Sequence, residues 1–136
     1  MYELNISSYR KDYTVSFKIL AEIEHDFKDS YVLIDANVNT LYPNLLKSIE
    51  KEKIIIIKSN ESNKTLPFCQ ELISLLISRG IKKNHKLIGI GGGIVQDITG
   101  FTASILYRGI DWLYYPTTLL SQSDSCIGSK TSINFL

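Results

Sequence analysis

Four short apolar runs punctuate the chain, and polar or helix-patterned stretches separate them. Tyr31-Val32-Leu33-Ile34 and Ile54-Ile55-Ile56-Ile57 are continuously apolar. Lys86-Leu87-Ile88-Gly89-Ile90 turns apolar after one charge, and Trp112 to Tyr115 stays aromatic or apolar until Pro116 cuts it off. Short unbroken runs of this kind, β-branched throughout in the second, are the pattern of buried strands in a parallel sheet. Between them the spacing becomes helical. Val38, Leu41, Leu45 and Ile49 predict one helix, ending in the charged residues 50–53. Cys69, Leu72, Ile73 and Leu76 predict a second, with Gly80 as its stop, and Ile94, Ile98, Phe101 and Ile105 predict a third. Upstream, residues 3–6 and 13–19 flank a polar stretch and read as a hairpin, followed by a mixed polar segment around residues 25–30. The tail, residues 117–136, is polar, with a short helix expected at its start. Strand and helix alternate from Tyr31 to Tyr115. This predicts an α/β domain, a parallel sheet flanked by helices with right-handed crossovers, preceded by a β-hairpin.

Composition narrows the class. The 136 residues are 44% hydrophobic and 21% charged, enough apolar content for one packed core. A formal net charge of +1 gives no electrostatic reason to expect nucleic acid or an anionic membrane as partner. The apolar runs fall well short of the ~20 residues that cross a bilayer, and the first residues lack a signal-peptide pattern. Cys69 and Cys126 have no paired spacing, so both are expected as buried or half-buried thiols in a reducing cytoplasm.

In an open parallel sheet, ligands bind beyond the carboxyl ends of the strands. Here those ends carry Asp35 and Asn37, then Glu61 and Lys64, then Gly91-Gly92-Gly93, then Thr117 and Thr118. The glycine turn is the most telling. Ordering each glycine costs about 1 kcal/mol against alanine, a cost with a purpose where backbone must approach an anion at a helix N-terminus. A tight strand-to-helix turn without a ligand is the plain alternative. The turn does not match the dinucleotide fingerprint G-x-G-x-x-G, because Ile94 stands at its last position, and Gly128-Ser129-Lys130-Thr131 is not a Walker A loop. Asp97, one turn into the third helix, could simply complement the dipole. Arg108, eleven residues on and so on the same helical face, could do so at the other end. Asp124 and Lys130 are the charged groups of the tail. Ser121, Ser123 and Ser125 lack a nucleophile elbow, His25 and His85 read as surface residues, and no cluster has metal-site spacing.

From Leu87 onward the chain resembles the dehydroquinate synthase family of sugar-phosphate cyclases. Three linked motifs carry the resemblance: Gly91-Gly92-Gly93-Ile94-Val95-Gln96-Asp97 with Gly100-Phe101; Tyr107-Arg108-Gly109; and Pro116-Thr117-Thr118-Leu119-Leu120 running on to Asp124-Ser125-Cys126-Ile127-Gly128-Ser129-Lys130-Thr131 and Asn134. The resemblance implies a Rossmann-like NAD-binding domain spanning residues 1–136, the family's C-terminal helical domain being absent from this chain. Asp35, Asn37, Glu61 and Lys64 would hold the adenosine end of NAD. Gly91, Gly92, Gly93 and Asp97 would cradle its pyrophosphate, and Thr117 and Thr118 would contact it further along. Asp124 and Lys130, with Asn134 as a weaker candidate, would bind the sugar-phosphate substrate. Arg108 would serve its phosphate, in a homodimer across the interface. The divalent metal of the family, zinc or cobalt, is held by a glutamate and two histidines of the helical domain, so no metal ligand is expected in this chain and the chain alone is expected to be inactive. Two departures stand out: Gln96 replaces a common glycine, and Ser129 interrupts Gly128-Ser129-Lys130 where the family has glycine or alanine. Both would suit a paralogue acting on another sugar phosphate. Iron-containing alcohol or polyol dehydrogenases, and a non-catalytic nucleotide-binding domain, are the competing readings.

Overall fold

The computed structural model describes residues 2–9, 12–127 and 130–135; the side chains of residues 20, 21, 24 and 25, and so the expectation for His25, lie outside the description, as do Gly128 and Ser129. Two antiparallel strands, β1 (Tyr2–Ile6) and β2 (Tyr13–Phe17), form the N-terminal hairpin. Four parallel strands follow, β3 (Ser30–Asp35), β4 (Ile54–Ile57), β5 (Lys86–Gly91) and β6 (Trp112–Pro116), in the order β4-β3-β5-β6. The two central strands are the most buried, β3 along its whole length and β5 from Leu87 onward.

The sheet separates two apolar layers. On one face Leu33, Ile55, Ile57 and Leu87 pack beneath α2 (Leu66–Ser78) and α3 (Gly93–Ile105) through Cys69, Leu72, Leu76, Ile98, Ala103 and Leu106. On the other, Val32, Ile34, Ile88 and Ile90 meet Ile23 and Phe27 of a 3-10 helix, Leu20–Phe27, together with Leu46. Asp26 of that helix joins three parts of the molecule. It pairs with Lys18 after β2 at 2.6 Å and accepts the Tyr115 hydroxyl of β6. Burial opposes its ionisation, but the hydrogen bonds from Lys18 and Tyr115 and the Lys18 charge outweigh that and hold the carboxyl below its usual range.

Four expectations are corrected. The helix expected from Val38 to Ile49 stops early, because α1 covers only Ala36–Leu41. Pro43 lacks the N–H and crowds the carbonyl four residues back, so the chain continues in i−3 turns, with Leu45 N–H bonding Tyr42 O and Ile49 N–H bonding Leu46 O. Leu46 rather than Leu41 is then buried. The four-isoleucine strand β4 is an edge and buries only alternate residues, Ile56 remaining 56% exposed. The guanidinium of Arg79 bonds the carbonyls of Glu52 and Ile54 at the start of that edge. On α3 the buried stripe runs through Val95, Ile98, Thr99, Thr102 and Ala103, leaving Ile105 exposed. His85 is half-buried, its Nδ1 accepting the Lys82 N–H and its ring lying against Tyr31. The thiols are as expected, Cys69 buried and Cys126 half-buried.

Candidate functional site

Each central strand ends at the same edge, and the sequence supplies the turn it needs there. Asp35 closes β3 and caps α1, its Oδ1 accepting the N–H groups of Asn37 at 2.7 Å and Val38 at 3.1 Å. This leaves Oδ2 without a partner among the described residues, at the surface of an otherwise buried side chain. Beside it, β5 runs into α3 through the glycine turn, whose members have different reasons to be glycine. A Cβ on Gly91 would lie 2.6 Å from Val95 Cγ2 and 3.3 Å from Asp35 Cβ, so the strand and helix could not close up with a side chain there. A Cβ on Gly92 would stand 3.2 Å from the Thr118 methyl. On Gly93 it would meet nothing within 4 Å. Packing therefore explains the first glycine, and Gly93 instead borders open space.

The helix that starts here is uncapped by any side chain, Gly92 being its N-cap. Its first N–H groups face that space with the positive end of the helix dipole, an arrangement suited to an anion. The next strand reaches the same place. Thr117 N–H donates to Gly91 O at 2.8 Å, and the Tyr114 hydroxyl donates to the same carbonyl at 2.9 Å. Burial pushes the Tyr114 phenol up to about 12, so it stays a neutral donor. Thr118 caps the short helix α4 (Leu119–Ser123), exchanging bonds with Ser121, which is buried in that capping role.

On the other side of α3, Lys64 reaches from the loop after β4 and places its ammonium 2.6 Å from Asp97 Oδ2, both side chains being mostly buried. Glu61, one 3-10 turn earlier, is largely exposed and lies 3.9 Å from the same ammonium. The structure thus gathers Asp35, Asn37, Glu61, Lys64, the three glycines, Asp97, Thr117 and Thr118 around one sheet edge. Asn134 joins this group rather than the tail residues Asp124 and Lys130. Its Nδ2 donates to Glu61 Oε1 at 3.0 Å, and its backbone pairs with Thr65 in a parallel bridge. Asp124 and Lys130 are both exposed.

Arg108 is at the opposite end of α3. The helix ends at Ile105, so the three-turn spacing from Asp97 does not hold, and Tyr107, Arg108 and Gly109 instead form a left-handed run with φ of 49, 65 and 98°. Lys83 holds the Gly109 carbonyl and Tyr107 holds that of Ile81, so this turn presents an exposed arginine away from the glycine site.

Gln96 stands where the resemblance expects glycine. It is 3% exposed, and its Nε2 donates to Ser125 O at 2.6 Å, tying α3 to the turn beside Asp124. Its Oε1 and the Ser125 hydroxyl are buried without partners in the structure. Among the described residues no three His, Cys, Asp or Glu side chains come together to hold a metal, and no helix is long and apolar enough to cross a membrane.

The family model of the 3-dehydroquinate synthase N-terminal region matches residues 54–136. The 3-dehydroquinate synthase of Pelagibacter ubique (strain HTCC1062) is 42% identical over 120 residues, covering 86% of this chain and 33% of that protein. The chain spans about a third of the length of the curated relatives it matches. Among solved structures, a 2-deoxy-scyllo-inosose synthase complexed with carbaglucose-6-phosphate, NAD+ and Co2+ superposes with a TM-score of 0.81 over 98% of this chain and 40% of its own, at 24% identity, a likeness of fold. The 2-epi-5-epi-valiolone synthase of Streptomyces hygroscopicus subsp. jinggangensis 5008, with NAD+ and Zn2+ bound, gives a TM-score of 0.75 at 27% identity, covering 96% of this chain and 39% of that one.

Proposed function

Because this chain belongs to the 3-dehydroquinate synthase family, we propose that residues 1–136 are the NAD-binding domain of a sugar-phosphate cyclase that converts a heptulosonate phosphate (DAHP) to 3-dehydroquinate and phosphate. The observation that carries the reading is the open space at Gly93, at the uncapped N-terminus of α3, with Asp35 beside Gly91 and Thr118 beside Gly92 in the same turn. It is a cradle with the right chemistry for a pyrophosphate. Bound NAD supplies a hydride acceptor that can return its hydride within one turnover.

The chain's own residues do the holding. The N–H groups of Gly93 and its neighbours would take the pyrophosphate oxygens. Asp35 offers its unpaired Oδ2 to a ribose hydroxyl on one side, and Glu61 offers a carboxylate on the other. Asp97 lies close to where the phosphates would sit, but Lys64 balances its charge, so it orients the lysine rather than repelling the anion. Asn37, Thr117 and Thr118 line the remainder. Asp124 and Lys130 would bind the sugar phosphate, and Arg108, which faces away, would serve a substrate phosphate across a dimer interface. A divalent metal would be held by residues outside this chain, since no metal-holding group forms among the described residues.

Isothermal calorimetry tests the cofactor. The chain should bind NAD and leave ATP unbound, and absence of NAD binding would overturn the reading. Phosphate release from DAHP tests the division of labour: the 136-residue chain alone should show none, and turnover would overturn it. A second substrate reading, a paralogue acting on a different sugar phosphate, is favoured by Gln96, whose bulk and bond to Ser125 sit next to Asp124. Comparing turnover of the complete enzyme on the two substrate classes decides between them.

A further inference from the structure

Residues 130–135 run back across α3 to the loop after β4, where their hydrogen bonds fall on residues expected to serve the cofactor. The Ser132 N–H donates to Asp97 Oδ1 at 3.1 Å, which completes a carboxylate whose other oxygen holds Lys64. The Asn134 N–H donates to Lys64 O at 2.8 Å, and its side-chain amide donates to Glu61 Oε1 at 3.0 Å. Between these points the chain is seated by packing. The Thr131 methyl occupies the notch left by Gly100, where a Cβ would stand only 2.4 Å away, and Ile133 packs against the core under α2 and α3.

A glutamate that is 62% exposed would otherwise sample several rotamers, and a buried carboxylate with one partner would be left with an unbonded oxygen. We propose that Ser132 and Asn134 are positioning residues for NAD: the tail is a strap that sets Glu61, Lys64 and Asp97 in place before the cofactor arrives. The proposal rests on the NAD reading of those three residues. Neither strap residue touches the cofactor. Each acts through a side chain that does.

Coupling of this kind is reciprocal, so the cofactor must also tighten the strap. Two variants test it in the full 136-residue chain. Asn134→Ala removes the side-chain bond to Glu61 and keeps the backbone bond to Lys64, while Ser132→Pro removes the N–H given to Asp97. Each should weaken NAD binding about three- to tenfold by calorimetry, the size of one lost hydrogen bond. In the wild type, saturating NAD should slow amide exchange at Ser132 and Asn134, a response that a merely structural strap would not give. Should Ser132→Pro fail to fold, Asn134→Ala and the exchange measurement decide. Variants that bind NAD as tightly as the wild type, with no NAD-dependent protection of the strap, would overturn the strap and leave the cofactor assignment standing. Failure of the wild type to bind NAD would overturn both.

Discussion

At the scale of single residues, the glycine turn separates packing from ligand binding, because its members meet different surroundings. Gly91→Ala would drive a methyl into Val95, which is fully buried and cannot yield, so the variant should lose about 1–3 kcal/mol of stability in a denaturant melt. Gly93→Ala meets nothing and replaces glycine at the first turn of a helix, so stability should hold or rise by up to about 1 kcal/mol. Its NAD affinity should nevertheless fall by about tenfold or more, since the new methyl enters the space proposed for the pyrophosphate. A Gly93→Ala chain that binds NAD normally would remove the ligand-based reason for that glycine. Residue types alone pointed to this turn, but they could not tell which glycine serves packing. That distinction needs Val95 and Asp35 in their folded positions.

At the scale of elements, Asp26 shows how one carboxylate can fasten a hairpin, a 3-10 helix and a strand together. Its folded pKa lies below the unfolded value, so it contributes stability above about pH 4, and that contribution is lost as pH falls through the folded value. Asp26→Asn should lower stability at neutral pH by about 1–2 kcal/mol, the pair being only partly exposed. Its melting temperature should then fall less steeply than the wild type's as the pH drops below about 4; equal slopes in thermal scans would count against this role. The same elements show what a linear reading can and cannot see. The runs at Tyr31 and Leu87 mark the central strands, since burial on both faces leaves an unbroken apolar signature, whereas the equally apolar runs at Ile54 and Trp112 form the edges and stay partly exposed. The apolar spacing that predicts the first helix continues past Pro43, which ends the helical hydrogen bonding whatever the pattern says. Counting residues sets Arg108 on the Asp97 face of a continuous helix, and the left-handed turn at Tyr107 breaks that register. The strap was invisible, because Asn134 and Glu61 are 73 residues apart and their bond leaves no local periodicity.

At the scale of the whole molecule, α4 carries Leu119 and Leu120 at 83% and 72% exposed beside the candidate site. Apolar side chains displayed this way favour association. Sedimentation should show concentration-dependent self-association of this chain, reduced in the Leu119→Ser/Leu120→Ser variant; a monomer at all concentrations would show that these leucines are tolerated in water. The edge strand has a different consequence. β4 is paired on one side only, to β3, and presents four successive isoleucines. In a chain loosened by heat or still being synthesised, such a segment is a template for cross-β stacking, having high β-propensity and no charge of its own. Charges stand immediately outside it, Glu50, Lys51, Glu52 and Lys53 before and Lys58 after, and Arg79 ties up two carbonyls at its start. These are gatekeepers against amyloid growth. The same strand that completes the parallel sheet is therefore the one whose flanks guard the chain against stacking while it folds.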